Sequence, residues 1–285
     1  MKISILQILV DENPILNLKR VLDGLQQAAN DQADLVVLPE LWSVPFVLES
    51  IRNHQEDWDR LIPSLQEAAK RLGLWIVGGT IPRKEKNGLL FNSCPIIDDQ
   101  GQLITIVDKC HLLEVHTPHH DFYESDVFAS GKTLRQISTP WGKMGILICY
   151  DNRFPEAARL VCEEANFLIA PASFNAKIGP LHWKPLFQTR AFENEVFVVA
   201  VNPAQARYDS FESYGHSMII DPQGKILLEL SDQPQIVTAT VNIDQVKAIR
   251  DRSPLWKLRR HDLYKLQRVD SSAETFTEKE KGASK

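Results

Sequence analysis

The stretch GILICYDNRFPEAARL, residues 145–160, carries the most information in this chain of 285 residues. An apolar run ends at Cys149, and a helical pattern starts just beyond, with Pro155 placed for a first helical turn. This order of strand, nucleophile and helix brings a thiol to the mouth of a sheet, where helix-terminal amides are expected to favour the thiolate. A cysteine ending an apolar run is also a common core residue, so the stretch alone leaves both readings open.

Outward from it, apolar β-rich runs alternate with longer amphipathic stretches, the pattern of an α/β protein. Residues 2–9 read as a strand, and Asn13-Pro14 supplies a cap and a first-turn proline for a helix through about Ala29. LVVLPE reads as a strand ending at Glu40. DWDRLIPSLQEAAKRL, residues 57–72, has helical spacing and stops at Gly73. Residues 91–98 and 102–107 flank a turn at Asp99-Gln100-Gly101, and SYGHSMIID and KILLEL flank another at Pro222-Gln223-Gly224, giving two hairpins. No internal repeat is evident, although both halves share a strand–helix rhythm that suits two sheets in four layers. The polar residues 269–285 read as a C-terminal tail, leaving one domain over 1–268.

A hydrophobic share of 44% and a charged share of 24% fit a globular protein with a large core. The net charge of -5, with no basic run longer than Lys257–Arg260, argues against nucleic acid as a partner. The opening MKISILQILVDENP reads as a strand rather than a secretory leader, and no window holds the roughly eighteen uncharged apolar residues of a membrane helix. Four cysteines with no C-x-x-C pair suit a reducing cytoplasm and leave thiols for chemistry.

A nucleophilic thiol needs a base, and Glu40 is followed by LWSVPF, which offers apolar walls. Lys109, in TIVDKCHLLEVH, has apolar residues on both sides and suits a developing oxyanion. Glu124, in DFYESDVFASG, reads either as a loop carboxylate or as an acid that positions Lys109. Taken singly, each is equally a solvated surface charge.

Taken together, LPELW, DKCHL, FYES..FASG and GILICYDNRFPE resemble, in order and spacing, the Glu–Lys–Glu–Cys signatures of the nitrilase, or carbon-nitrogen hydrolase, superfamily. PASFNAKIGPLHWKPLFQTRAFENEVFVVAVNPA and YGHSMIIDPQGKIL resemble its later segments, so the likeness spans about residues 2–265. It implies an αββα sandwich pairing into a homodimer or larger assembly. It also implies attack of Cys149 on an amide carbon through a thioester, Glu40 as base, Lys109 and the Tyr150 backbone N–H holding the oxyanion, and Glu124 orienting the ammonium. No cofactor or metal is implied.

CYDNRFPE, SFN...GP.HW....RA and YGHS..I.P.G most resemble the omega-amidase branch, which deamidates small dicarboxylate monoamides such as 2-oxoglutaramate and 2-oxosuccinamate. Other readings are N-carbamoyl or deaminated-glutathione hydrolysis, or a non-catalytic scaffold. CHLLEVHTPHHDFY departs from that branch, lacking a glycine and carrying three extra histidines. His111, His116, His119 and His120 fit no common zinc spacing, and His111 is expected to bond backbone near Lys109. Arg153 reads as a clamp for a substrate carboxylate or as a loop brace paired with Glu156 or another acid, the brace being slightly favoured. Phe174, Asn175 and Trp183 read as pocket wall or, equally, as packing and capping residues.

Overall fold

The computed structural model describes residues 1–116 and 121–269. In chain order the first half runs β1 (Lys2–Gln7), α1 (Pro14–Asn30), β2 (Leu35–Val37), α2 (Leu48–Asn53), α3 (Asp57–Leu72), β3 (Trp75–Val77), β4 (Ile81–Lys84), β5 (Leu90–Ile97), β6 (Leu103–Asp108), β7 (Glu114–His116) and β8 (Asp121–Tyr123). The second half runs β9 (Gln136–Thr139), β10 (Gly142–Ile146), α4 (Pro155–Val161), β11 (Ala165–Pro171), α5 (Gly179–Asn194), β12 (Phe197–Val201), β13 (Met218–Ile220), β14 (Ile226–Glu229), β15 (Gln235–Thr240) and α6 (Asp244–Arg252).

One sheet has the order β15-β1-β2-β3-β5-β4, with β6 also paired to β5, and the other β14-β13-β12-β11-β10-β9. Each has a parallel centre, β1·β2·β3 and β10·β11·β12. Side chains alternate across a strand, so Ile3, Ile5, Leu35 and Val37 face Ile146, Ile148 and Val199 between the sheets. Leu6, Val36 and Ile76 turn the other way onto Val21 and Leu25 of α1 and Leu61 and Leu65 of α3. Helices α4 and α5 pack on the second sheet through Ala157, Ala158, Val161, Phe187 and Ala191. The layers are therefore α, β, β, α, as the sequence implied.

Local chemistry explains the helix ends. Asn13 Oδ1 accepts the N–H groups of Ile15 and Leu16 ahead of Pro14, and α3 stops at Gly73, whose φ of +67° a glycine adopts without a Cβ clash. Both hairpins form, as β5–β6 and β13–β14. Three readings need correction. The first strand ends at Gln7 rather than residue 9, β2 ends three residues before Glu40, and the YGHS segment lies in a loop before β13. A strand that went unread, β15, lies antiparallel to β1. No helix among the described residues is long and apolar enough to cross a membrane. The tail beyond residue 269, and His119 and His120, lie outside the described residues.

Candidate active site

Each parallel centre delivers one acidic or nucleophilic group to the same end of the two-sheet core. After β2 the chain turns at Leu38-Pro39-Glu40, and the Glu40 N–H donates to Ala172 O, 3.2 Å away, just beyond β11. This bond crosses from one sheet to the other. After β10 the chain enters a 3-10 turn over Cys149–Arg153, and Cys149 itself has a φ of 44°. A non-glycine residue in this region costs on the order of 1–3 kcal/mol and persists only when its surroundings fix it. Asn152 Nδ2 donates to the carbonyls of Leu147 and Cys149, and Arg190 Nε of α5 donates to Asn152 O. Asp151 Oδ2 accepts the Ile148 N–H. The turn is thereby bound on both sides of the thiol.

Lys109 follows β6 at once, its N–H donating to Asn92 O of β5 and its carbonyl accepting from Gly131. Its ammonium donates to Glu40 Oε1 at 2.9 Å and to Glu124 Oε1 and Oε2 at 3.0 and 2.8 Å. All three side chains are fully buried. Burial alone would favour neutral lysine, but the charges of Glu124 and Glu40 outweigh it and hold the ammonium well above its ordinary range. Burial pushes Glu124 up, against the pull of Lys109.

Two carboxylates share one lysine, yet they are not equivalent. Glu124 is saturated: Lys109 and Asn92 Nδ2 meet Oε1, while Lys109 and the Leu113 N–H meet Oε2. Glu40 takes Lys109 and Asn92 on Oε1 alone, and its buried Oε2 takes no hydrogen bond among the described residues. Cys149 is the neighbour whose thiol that charge raises. A buried carboxylate oxygen kept free beside a thiol is suited to accept a proton.

The thiol is buried at 7% exposure. Burial first, then Glu40, push Cys149 well above the ordinary thiol range, while Lys109 and the Ser173 N–H oppose them. This corrects the expectation of a thiolate favoured by helix amides: burial and the Glu40 charge favour the protonated thiol, so attack calls for a base to take its proton. Tyr150, the next residue, is the second of the 3-10 turn, where leading N–H groups lack partners within the turn.

Three further outcomes concern the remaining candidates. The Arg153 guanidinium donates to His182 Nδ1 and lies over the rings of Phe174 and Tyr150 rather than pairing with Glu156, which is exposed on the first turn of α4. Trp183 is fully buried against Phe174 and Phe187, and Asn175 Oδ1 accepts from Lys177 N. Trp183 packs and Asn175 caps, and Phe174 is itself buried against Trp183 and Phe187, with the Arg153 guanidinium over its ring. His111 bonds a side chain rather than nearby backbone, giving Nδ1 to Asp151 Oδ1, while His116 pairs with Glu114 and Asp121. Among the described residues no group of three His, Cys, Asp or Glu side chains is arranged to hold a metal. Asn92 and Asp151 went unread. Asn92 was legible only as a polar residue inside the apolar strand LFNSCPII.

Residues 4–251 match the sequence profile described as Carbon-nitrogen hydrolase. The chain belongs to the carbon-nitrogen hydrolase family. This hydrolase is 36% identical over 258 residues to omega-amidase NIT3 of Saccharomyces cerevisiae, covering 87% of this chain and 89% of that protein. It is 33% identical over 275 residues to omega-amidase NIT2 of Danio rerio, covering 94% and 98%. The crystal structure of Saccharomyces cerevisiae Nit3, a member of branch 10 of the nitrilase superfamily, matches with a TM-score of 0.83 at 33% identity, covering 91% of this chain and 96% of that one. The NitFhit protein of C. elegans matches with a TM-score of 0.89 at 27% identity, covering 96% of this chain and 68% of that one. The carbon-nitrogen hydrolase is thus an enzyme with the nitrilase-type αββα sandwich.

Proposed function

We propose that this carbon-nitrogen hydrolase is an omega-amidase-like enzyme that deamidates small dicarboxylate monoamides, of the 2-oxoglutaramate and 2-oxosuccinamate kind, through a thioester on Cys149. The observation that carries the mechanism is the inequality of Glu40 and Glu124, one with a free oxygen beside the thiol and the other saturated.

Glu40 Oε2 takes the thiol proton as Sγ adds to the amide carbon. Negative charge moves to the amide oxygen, where the Lys109 ammonium and the Tyr150 N–H receive it. Collapse breaks the C–N bond, and the proton on Glu40 passes to the departing nitrogen, which leaves as ammonia. Glu40 then takes a proton from water, whose oxygen attacks the thioester. The second collapse releases a carboxylic acid and the thiolate, which recovers its proton from Glu40. Glu124 holds Lys109 charged and in place throughout.

The omega-amidase relatives support the substrate class, as does Arg153, a cation over Phe174 with no carboxylate partner among the described residues. We assign the hydrolase domain to residues 1–268 and a cytoplasmic location, which suits four cysteines that are all free thiols. The exposed apolar side chains of Leu181, Phe192 and Leu227 support a homodimer. The test is ammonia release from 2-oxoglutaramate, 2-oxosuccinamate, glutaramate, N-carbamoyl amino acids and simple nitriles. Preference for the short carboxylated amides upholds the reading, and release only from carbamoyl compounds or nitriles overturns its substrate class.

A further inference from the structure

Arg153 and His182 meet across two elements that the sequence separates by 29 residues, the turn after Cys149 and the first turn of α5. Arginine has five N–H donors and no acceptor, so the contact has one sense: both terminal nitrogens of Arg153 donate to His182 Nδ1, each at 3.2 Å. The imidazole is therefore neutral at Nδ1, and it occupies the outer edge of the guanidinium fork. The Nε edge donates to no described residue. The flat face lies 5.4 Å from the Phe174 ring centroid and 5.9 Å from that of Tyr150. Tyr150 follows the thiol, and Phe174 follows Ser173, whose N–H faces the thiol. The cation thus lies against the residues next to the thiol and to Ser173, in contact with two rings and one histidine and with no acid neutralising it among the described residues.

We propose that His182 is a specificity-determining positioning residue: by occupying the end of the Arg153 fork it turns the Nε edge toward a substrate carboxylate. The inference rests on the carboxylated-amide reading above. An arginine free to swing loses side-chain entropy on binding and presents its bidentate edge only part of the time. One restrained from behind by a neutral acceptor, and from its faces by aromatic rings, is arranged before substrate arrives. An acid in place of His182 would neutralise the cation, whereas an imidazole restrains it and leaves its charge available.

The test compares 2-oxoglutaramate with uncharged butyramide as substrates for wild type, His182→Ala and His182→Asn. His182 is exposed on a helix surface, so its truncation leaves the fold intact. His182→Ala is expected to raise KM for 2-oxoglutaramate by about 5- to 20-fold, from the weakening of one hydrogen bond to a charged group at a partly exposed position. Its kcat on that substrate, and both constants on butyramide, should stay within about 2-fold, because neither involves the Arg153 edge. His182→Asn, whose side-chain oxygen replaces Nδ1 as acceptor, should return KM to within about 3-fold of wild type. An unchanged KM for 2-oxoglutaramate in His182→Ala would overturn the inference, as would an equal rise for both substrates, which marks general structural damage. Failure of wild type to favour 2-oxoglutaramate over butyramide would instead sink the substrate reading, and the two failures are separable.

Discussion

His111 Nδ1 lies 2.7 Å from Asp151 Oδ1, joining the loop that carries Lys109 to the turn that carries Cys149. The same oxygen accepts the His111 N–H at 2.7 Å, and the other carboxylate oxygen accepts Ile148 N at 3.1 Å. His111 also stacks on Phe154 at a centroid distance of 3.8 Å. The buried Asp151 carboxylate is a clasp that fixes the distance between ammonium and thiol. Asp151→Ala leaves three donors without their acceptor, and the expected loss of stability is about 2–4 kcal/mol. Urea unfolding at pH 7.5 measures it, and a loss under about 0.5 kcal/mol would show that the clasp contributes nothing.

Glu40→Gln separates two properties that depend on the same carboxylate. The neutral amide cannot accept the thiol proton, so amide hydrolysis should fall by about 100-fold or more. The charge of Glu40 also raises the thiol pKa, so its removal should make Cys149 alkylate faster with iodoacetamide at pH 8. Steady-state ammonia release and the alkylation rate, measured on one preparation, check both directions. A variant that kept its hydrolytic rate would rule out Glu40 as the base.

Asn92 bridges the two carboxylates, donating to Glu40 Oε1 at 2.9 Å and Glu124 Oε1 at 3.2 Å. Asn92→Leu preserves approximate volume and removes both bonds while Lys109 keeps its own. A hydrogen bond to a charged group is worth about 1.5–3 kcal/mol, so kcat should drop about 10- to 100-fold with the fold retained. Equal kcat in the variant and the wild type would reduce Asn92 to a space-filling residue.

Alkaline conditions should weaken the fold in a defined window. Burial pushes Cys110 and Cys162 up to about 12 and raises Cys94 and Cys149 as well, against an ordinary thiol near 9. An unfolded chain releases these protons near pH 9 while the folded chain retains them. The stabilisation is thus complete below about pH 9 and declines as pH rises toward 12, by about 1.4 kcal/mol per thiol for each unit. Urea midpoints at pH 8, 9 and 10 should fall progressively, and Cys162→Ala should fall less steeply than wild type. Identical slopes would show that Cys162 holds no raised pKa.

Much of this was legible because local chemistry and tertiary structure agree. Asn13-Pro14 caps α1 and Gly73 ends α3 because each satisfies its own backbone without help from distant residues. Glu40, Lys109, Glu124 and Cys149 were legible as a set, through the spacing of four short motifs, and the fold brings them to one buried point. What escaped depends on contacts across the chain. Asn92 reads as one polar residue in an apolar strand until β5 sets it against Glu40 and Glu124. His111 cannot choose between nearby backbone and Asp151, 40 residues away, without the packing of two loops. The state of Cys149 was misread for a related reason. Its sequence position suggests helix amides, whereas burial and Glu40 decide its proton affinity. The strand β15 was missed because QIVTAT is only half buried and gains its place by pairing with β1, more than 200 residues earlier.

The central claim is that Cys149 performs the chemistry, and ammonia release from 2-oxoglutaramate by wild type and by folded Cys149→Ala tests it most directly. The expected result is turnover by the wild type and none above the uncatalysed rate in the variant, with both unfolding in urea at similar midpoints. Ammonia release by Cys149→Ala at the wild-type rate would contradict the account.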